Sequence, residues 1–220
     1  MKKLILVIVS SVGIMLKAEV YDFTTDINIK TEGIKTELPT PKPQILNKNS
    51  TQTHNPYLYL PIFKKIRYEY SYTSTNFIGT KKIEVEFVEY STKDSLTTAT
   101  ITYYNKNNVK KVNYQLKITD KGIFATDSII GDQRIEIPIP LFKDRRWSEN
   151  GNENRVIGFS SKVKTPYGSF DSCLKILTSI KGSEIGKNER YYAPNVGLVK
   201  EVFKSEERVD TIELVKFEIY

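Results

Sequence analysis

Few side chains in this 220-residue sequence are of the kinds that do covalent chemistry, and they are widely separated. Cys173 is the only cysteine and His54 the only histidine. A nucleophilic thiol needs a neighbouring base to become a thiolate. Because Cys173 lies in an apolar run, from Phe170 to Ile176, we predict a buried and inert thiol that has no disulfide partner in the chain.

Carboxylates offer the remaining candidate chemistry. Glu84 and Glu86 fall on one face of a predicted strand, and Glu206, Glu207 and Asp210 cluster near the last turn. Two carboxyl groups that flank a glycosidic bond suffice for acid–base hydrolysis. The same spacing is typical of a solvated strand face, so a carboxylate-dependent hydrolase is kept only as a minor alternative.

Motifs of known catalytic and metal sites are absent from the sequence. The nearest approach to a nucleophile elbow, Gly158-Phe159-Ser160-Ser161-Lys162, lacks the closing glycine. The chain has no His-Glu-x-x-His, no cysteine pair for zinc, no calcium loop and no glycine-rich phosphate loop. We therefore predict a protein that is not an enzyme, with no catalytic residues, no metal site and no cofactor.

Residues 1–18 have the pattern of a secretory signal peptide. A basic start, Met1-Lys2-Lys3, precedes an apolar run from Leu4 to Leu16, which is long enough for a signal-peptide core and too short to span a bilayer. Ala18 is the predicted last residue before cleavage, and an uncleaved anchor or buried helix is the alternative. No cysteine follows the run, which argues against a lipid anchor, and no second long apolar stretch predicts a transmembrane segment. We expect an exported protein, periplasmic or extracellular.

The net charge argues against a nucleic-acid partner. The sequence has 33 Lys and Arg against 26 Asp and Glu, or +7, and the leader holds Lys2, Lys3 and Lys17. Without these three the balance is 30 against 26, or +4. The remaining basic pairs are scattered beside acids, whereas a nucleic-acid site needs basic residues clustered on one face.

Residues 19–56 are predicted to be a flexible lead-in. Pro, Thr and Asn are common there, and Pro39-Thr40-Pro41-Lys42-Pro43 favours an extended spacer. Such a composition buries too little apolar area to offset the entropy of the chain. His54 is accordingly predicted to be a solvated linker residue.

Residues 57–220 are predicted to form one all-β domain. Apolar and polar residues alternate from Ile66 to Thr73, as in a half-buried strand. No stretch shows the helical period, so we expect a single curved antiparallel sheet or half-open barrel, built as a meander. Similar runs recur at 83–87, 96–104, 112–118, 155–165, 170–180, 189–193, 198–204 and 211–219.

One pattern of Pro, aliphatic, Phe, Lys, two variable residues, Arg and aromatic occurs twice. It begins at Pro61 and again at Pro140, 79 residues later, and each copy precedes a group of strands. The pattern predicts two pseudo-repeated halves, each opened by an apolar plug, with Trp147 as a largely buried anchor of the second. Chance similarity of a short motif is the alternative.

Two turns are predicted from their residue types. Pro166 and Gly168 suit a tight turn with Tyr167 at its tip, which is either a plain hairpin or a binding loop. After Pro194, Asn195 tolerates a left-handed conformation, and Gly197 is expected to have a positive φ or to lie close to a neighbouring strand.

The segments Ile139-Pro140-Leu141, Thr165 to Ile176 and Tyr191 to Glu201 occur in this order in a known family. The chain resembles bacterial exported and lipoprotein-like proteins of unknown function that carry TPxGxF…CLKI and YYAPxVGLVK motifs, with good similarity over 138–203 and weaker similarity over 57–137. The resemblance implies a curved sheet similar to the half-barrel of the periplasmic lipoprotein carriers LolA and LolB, and no catalytic residues. Asn195 stands where glycine is usual, and the cysteine that anchors some relatives is missing.

Two functions remain open at the level of sequence. The first is a non-catalytic cell-envelope protein that binds a lipid or another apolar or amphipathic ligand in the concave face of its sheet. The second is a structural or adaptor protein that binds another envelope protein through sheet edges or through the Pro-rich lead-in. An open apolar cavity would favour the first, and a filled core with an exposed apolar patch would favour the second.

Cleavage after Ala18 gives a direct test of export. N-terminal sequencing of the protein from the envelope fraction should yield Glu19 as the first residue. A protein that retains Met1 and remains in the cytoplasm would contradict the prediction.

Overall fold

A computed structural model describes residues 52–105, 108–181 and 184–220. The predicted signal peptide (1–18) and residues 19–51 of the predicted lead-in lie outside the described residues. Within the described part, no helix is long and apolar enough to cross a membrane.

Nearly all regular structure in the described residues is β. The only helix there is a single turn. In chain order the elements are β1 (Thr53–His54), α1 (Pro56–Tyr59), β2 (Ile66–Ser74), β3 (Lys81–Ser91), β4 (Leu96–Asn105), β5 (Asn108–Ile118), β6 (Gly122–Ala125), β7 (Arg134–Pro138), β8 (Leu141–Phe142), β9 (Arg146–Glu149), β10 (Asn152–Lys164), β11 (Ser169–Ile180), β12 (Gly186–Ala193), β13 (Gly197–Ser205) and β14 (Val209–Ile219).

Twelve of these strands form one antiparallel sheet that curls into a nearly closed barrel. Its order is β7-β6-β5-β4-β3-β2-β14-β13-β12-β11-β10-β9, so the two edge strands, β7 and β9, face each other across a single seam. Strands β1 and β8 pair separately. The predicted all-β, antiparallel, barrel-like architecture is confirmed.

The sheet consists of two six-stranded meanders, which confirms two halves at the level of topology. Strands β2 to β7 form one and β9 to β14 the other, and β2 pairs with β14 where they join. The repeated pattern precedes each meander. Its aliphatic residue, Ile62 in one copy and Leu141 in the other, is buried in both.

An apolar plug closes the barrel at the end where β2 begins. Asn55 caps α1 by accepting a hydrogen bond from the Tyr57 amide at 3.0 Å, and Pro56 occupies the first turn, where its missing N–H costs nothing. Leu60 and Ile62 then enter the core, and the Thr97 hydroxyl donates to the Ile62 carbonyl at 2.7 Å. The plug fills this end with apolar side chains.

His54 is part of the fold, contrary to its expected place in a solvated linker. Its ring stacks on Phe159 with centroids 3.6 Å apart, and Thr53 and His54 pair with β8. A two-residue strand carries no periodicity, so composition assigned these residues to the lead-in. Trp147 also differs from expectation, because it lies half-buried on the edge strand β9.

The two predicted turns have the expected geometry. Thr165 and Gly168 exchange backbone hydrogen bonds of 2.8 and 3.1 Å, and Tyr167 at the tip is exposed. Asn195 has a φ of 62° and Gly197 a φ of 108°. A Cβ on Gly197 would lie 2.8 Å from the Tyr68 hydroxyl oxygen, so the close neighbour is a side chain of β2.

Gly197→Ala should destabilise the fold, because the new Cβ would meet both an unfavourable φ and the Tyr68 hydroxyl. We expect a loss of about 1–3 kcal/mol in chemical denaturation. Gly158→Ala is the matched control, since Gly158 also lies in a strand but has no atom within 4 Å of the added Cβ. Equal stability of the two variants would contradict the strain assigned to Gly197.

Candidate binding site at the barrel seam

Side chains take the place of a strand ladder at the seam between β7 and β9. The Ile135 amide donates to both carboxylate oxygens of Glu149, at 2.9 and 3.1 Å. The Ile135 carbonyl accepts from Arg190 Nη1 at 3.2 Å, and Asn150 Nδ2 donates to the Gln133 carbonyl at 2.9 Å. Backbone N–H and C=O groups that are buried at a sheet edge without a partner cost free energy. The side chains of Glu149 and Arg190 satisfy the N–H and the C=O of Ile135.

Arg190 is fully buried inside the barrel and brings a carboxylate with it. On β12 it shares the inward face with Tyr192, because side chains alternate along a strand. Its Nη1 lies 3.3 Å from Glu136 Oε2, and the Tyr192 hydroxyl donates a short hydrogen bond to the same oxygen. A buried guanidinium needs such a partner, since an uncompensated buried charge is strongly destabilising.

A second arginine–carboxylate pair completes the charge cluster, which we define as Arg134, Glu136, Arg190 and Glu201. Arg134 forms a bidentate pair with Glu201, with distances of 2.6 and 3.1 Å, and its Nε donates to Glu136 Oε1 at 2.8 Å. Two guanidinium groups therefore face two carboxylates, and their formal charges cancel. Bidentate geometry is the strongest form of this pairing.

Burial and the charge cluster shift the pKa values of Glu136 and of its neighbours Tyr192 and Glu149. Burial raises the pKa of Glu136, but Arg134 and Arg190 outweigh this effect, so the net pKa lies below the usual range. Burial, together with the Glu136 charge, raises the pKa of Tyr192 well above its usual value. Burial also raises the pKa of Glu149, against the opposing hydrogen bond from the Ile135 amide. Glu136 is thus held ionised, and Tyr192 is held neutral as a donor.

The sequence leaves undecided whether the barrel interior is open or filled, and in the described residues side chains fill most of it. Tyr68, Tyr70, Tyr114 and Tyr192 are buried there, and the remaining cavity beside Arg134 is about 40 Å³. Such a volume holds on the order of one to three water molecules and no acyl chain. Period-two patterning could not reveal this, because inward-facing tyrosines line a cavity or fill it with the same spacing.

A polar cleft of about 410 Å³ opens at the other end of the barrel, beside the seam. Its walls come from the turns after β6, β9, β11 and β13. Its floor comes from Asn154, Thr178 and Asn188 on β10, β11 and β12, beside Arg134 of the charge cluster. The volume is in the range of small-molecule sites. The residues that line the cleft include Ile130, Arg134, Glu149, Asn154, Thr178, Ile180, Glu184, Asn188 and Arg208.

Two buried amides in the floor of the polar cleft each have one atom without a hydrogen-bond partner among the described residues. They are Asn154 Nδ2 and Asn188 Oδ1. Asn154 is 3% exposed and Asn188 6% exposed. Buried polar atoms are rarely left unpaired, so this pair is a chemically unusual feature of the cleft floor.

The residues that sequence analysis considered for chemistry are not brought together. Glu84 pairs with Lys82 at 2.7 Å on the surface of β3, and Asp210 is buried beside Arg208. Cys173 is buried, and desolvation, with a smaller effect of Asp171, raises its pKa to about 11. The described residues contain no group of His, Cys, Asp or Glu that could hold a metal ion.

The charge cluster was missed in the sequence, although one signal was available. In β12 the alternation that buries Tyr192 also places Arg190 and Asn188 on the inward face. A charged residue in phase with buried aromatics indicates an interior ion pair. Its partners, on β7 and β13, could not be identified without the topology.

Comparison with known proteins shows a shared fold and no close relative. No family model matches the chain, and no curated protein does. A structure from Parabacteroides distasonis ATCC 8503, described as a candidate lipoprotein, has a TM-score of 0.51 and 13% identity, over 75% of this chain and 100% of that one. A structure from Bacteroides fragilis NCTC 9343 is described as a candidate exported protein with a YmcC-like fold. It has a TM-score of 0.48 and 14% identity, and the match covers 70% of this chain and 96% of that one. The similarity to the Parabacteroides distasonis structure shows a shared fold and nothing further.

Glu136→Gln should destabilise the protein strongly at neutral pH, because it leaves Arg190 without a carboxylate. We expect a loss of about 3–5 kcal/mol in denaturant unfolding at pH 7. A carboxyl whose pKa is depressed on folding contributes stability above its unfolded value, about 4.5, and loses it as the pH falls. The difference between variant and wild type should therefore shrink in acid.

Glu84→Gln is the matched control, since it removes a carboxylate from a partly exposed pair. Such pairs contribute about 0–1 kcal/mol. If Glu136→Gln were as stable as Glu84→Gln at pH 7, the charge cluster would not support the barrel.

Proposed function

We propose that the protein is a non-catalytic, exported protein of the bacterial cell envelope that binds a polar ligand in the polar cleft. The observation that carries this proposal is the pair of unpartnered buried atoms, Asn154 Nδ2 and Asn188 Oδ1, beneath a cleft of about 410 Å³. The filled interior leaves the cleft as the recess that best fits a small molecule.

Export rests on the leader and agrees with the structural likeness. Residues 1–18 carry the basic start and short apolar run of a signal peptide. The Parabacteroides distasonis protein that shares the fold is described as a candidate lipoprotein.

The chemistry of the cleft supports binding without catalysis. The carboxylates of the charge cluster are neutralised by guanidinium groups, and Glu184 is paired with Arg208 at 3.1 Å. Glu149 needs separate consideration, because burial raises its pKa as in a general acid. Both of its oxygens already accept from the Ile135 amide, so we assign it to the seam.

The filled interior meets one half of the criterion for the adaptor alternative. The contact surfaces that an adaptor would use have weaker support in the described residues. The two sheet edges face each other, and Glu149 and Arg190 occupy the backbone groups of Ile135 that an added strand would need. The Pro-rich segment lies outside the described residues.

Native mass spectrometry of the mature protein tests the proposed function. The protein is mixed with either the aqueous or the organic phase of an envelope extract from the bacterium that carries the gene. We expect the aqueous phase alone to add mass to the wild type. It should also add mass to Asn113→Asp, a control variant on β5 outside the polar cleft, and none to Asn154→Asp. The ligand should keep its mass after prolonged incubation.

Two results would overturn the proposal. If only the organic phase added mass, the ligand would be apolar, as in the first alternative from the sequence. A ligand whose mass falls by hydrolysis, with the loss abolished in Glu149→Gln, would make the protein a carboxylate-dependent hydrolase.

A further inference from the structure

We infer that the ligand of the polar cleft is a neutral polyhydroxylated molecule, a saccharide, held by Asn154 Nδ2 and Asn188 Oδ1. The inference rests on the proposed function and names the class of ligand. It follows from which atoms of the two amides are free, from where the strands place them, and from the charge of the surrounding groups.

The contacts of Asn154 leave a donor free. Its Oδ1 accepts from the Thr178 hydroxyl at 2.6 Å and from Arg190 Nη2 at 3.4 Å. Because a guanidinium only donates, Oδ1 must face Arg190 and Nδ2 must face away. The two N–H bonds of Nδ2 therefore have no acceptor among the described residues.

The contacts of Asn188 leave an acceptor free. Its Nδ2 donates to Glu201 Oε1 at 2.7 Å. An ionised carboxylate only accepts, so the amide cannot be reversed without placing two oxygens against each other. Asn188 Oδ1 consequently has no donor among the described residues.

The sheet register places the free donor and the free acceptor in one row. Asn154 pairs with Thr178 across β10 and β11, and Thr178 pairs with Asn188 across β11 and β12. Two strand spacings put the Cα atoms of the two asparagines about 10 Å apart, and both side chains line the cleft. A sugar ring with its hydroxyls bridges such a row, since each hydroxyl can donate and accept.

The charges around the cleft disfavour an anion. Arg134 is neutralised by Glu201, and Arg208 lies 3.1 Å from Glu184 and 3.4 Å from Asp210. Lys181, the third cation that lines the cleft, lies 2.7 Å from Glu153. A phosphate site would need a guanidinium or ammonium group without a carboxylate partner. Ile130 and Ile180 add apolar surface that suits the C–H face of a sugar ring.

Isothermal titration calorimetry of the mature full-length protein tests the ligand class. The probes are the neutral tetrasaccharides maltotetraose, cellotetraose and chitotetraose, with inorganic phosphate for comparison. We expect at least one saccharide to bind and phosphate not to bind. Asn154→Asp keeps the acceptor for Thr178 and Arg190 and loses the free donor, so it should bind at least about tenfold more weakly, the equivalent of ~1.4 kcal/mol.

Asn113→Asp is the matched control for charge and shape. Asn113 lies on β5 and accepts from the Thr100 hydroxyl at 3.2 Å, outside the polar cleft. The Asn113→Asp variant should bind the saccharide with the same affinity as the wild type. If Asn154→Asp did not fold, NMR titration of the wild type would decide, because the side-chain amide signals of Asn154 should shift with saccharide.

Each contrary outcome has a separate meaning. Binding of phosphate but of no saccharide would overturn the inference in favour of an anion site. Saccharide binding that is unchanged in Asn154→Asp, or that leaves the Asn154 amide signals unmoved, would overturn the role of these residues. If no saccharide bound while the aqueous extract still added mass, the inference would fail and the proposed function would stand.

Discussion

A curled sheet of twelve strands must satisfy the backbone groups of its two edges where they meet, and in this protein side chains do so. Glu149 accepts from the Ile135 amide, and Arg190 donates to the Ile135 carbonyl. Placing Arg190 there buries a positive charge, which requires Glu136. Arg134 and Glu201 then complete a cluster in which the formal charges cancel.

This constraint makes the two ends of the barrel chemically different. Near the start of β2 the interior is apolar and is closed by Leu60 and Ile62. At the far end of β2 the charge cluster needs polar neighbours, and the sheet supplies amides and hydroxyls. Not every atom of those amides finds a partner, and the two that remain belong to Asn154 and Asn188, which line the polar cleft. The binding site we propose is thus a consequence of how the seam is closed.

The sequence predicts those parts of the fold that depend on local pattern. Strand β2 is predicted because apolar residues alternate from Ile66. The turn at Gly197 is predicted because only certain residues tolerate its φ. The two-residue strands β1 and β8 were missed, because they are too short to show a period. Whether the concave face is open or filled could not be predicted, since alternation identifies inward tyrosines and does not give the volume between them. Unpartnered atoms cannot be read from sequence at all, because they depend on which strands become neighbours.

Hydrogen exchange of the Ile135 amide tests the central claim, that side chains close the seam, most directly. NMR-detected exchange of the wild type at neutral pH should show this amide protected to a degree similar to amides inside the sheet, because Glu149 holds it. In Glu149→Ala its protection should fall while that of the β3 and β4 amides is unchanged. An Ile135 amide that exchanges in the wild type as fast as an exposed loop amide would contradict the account.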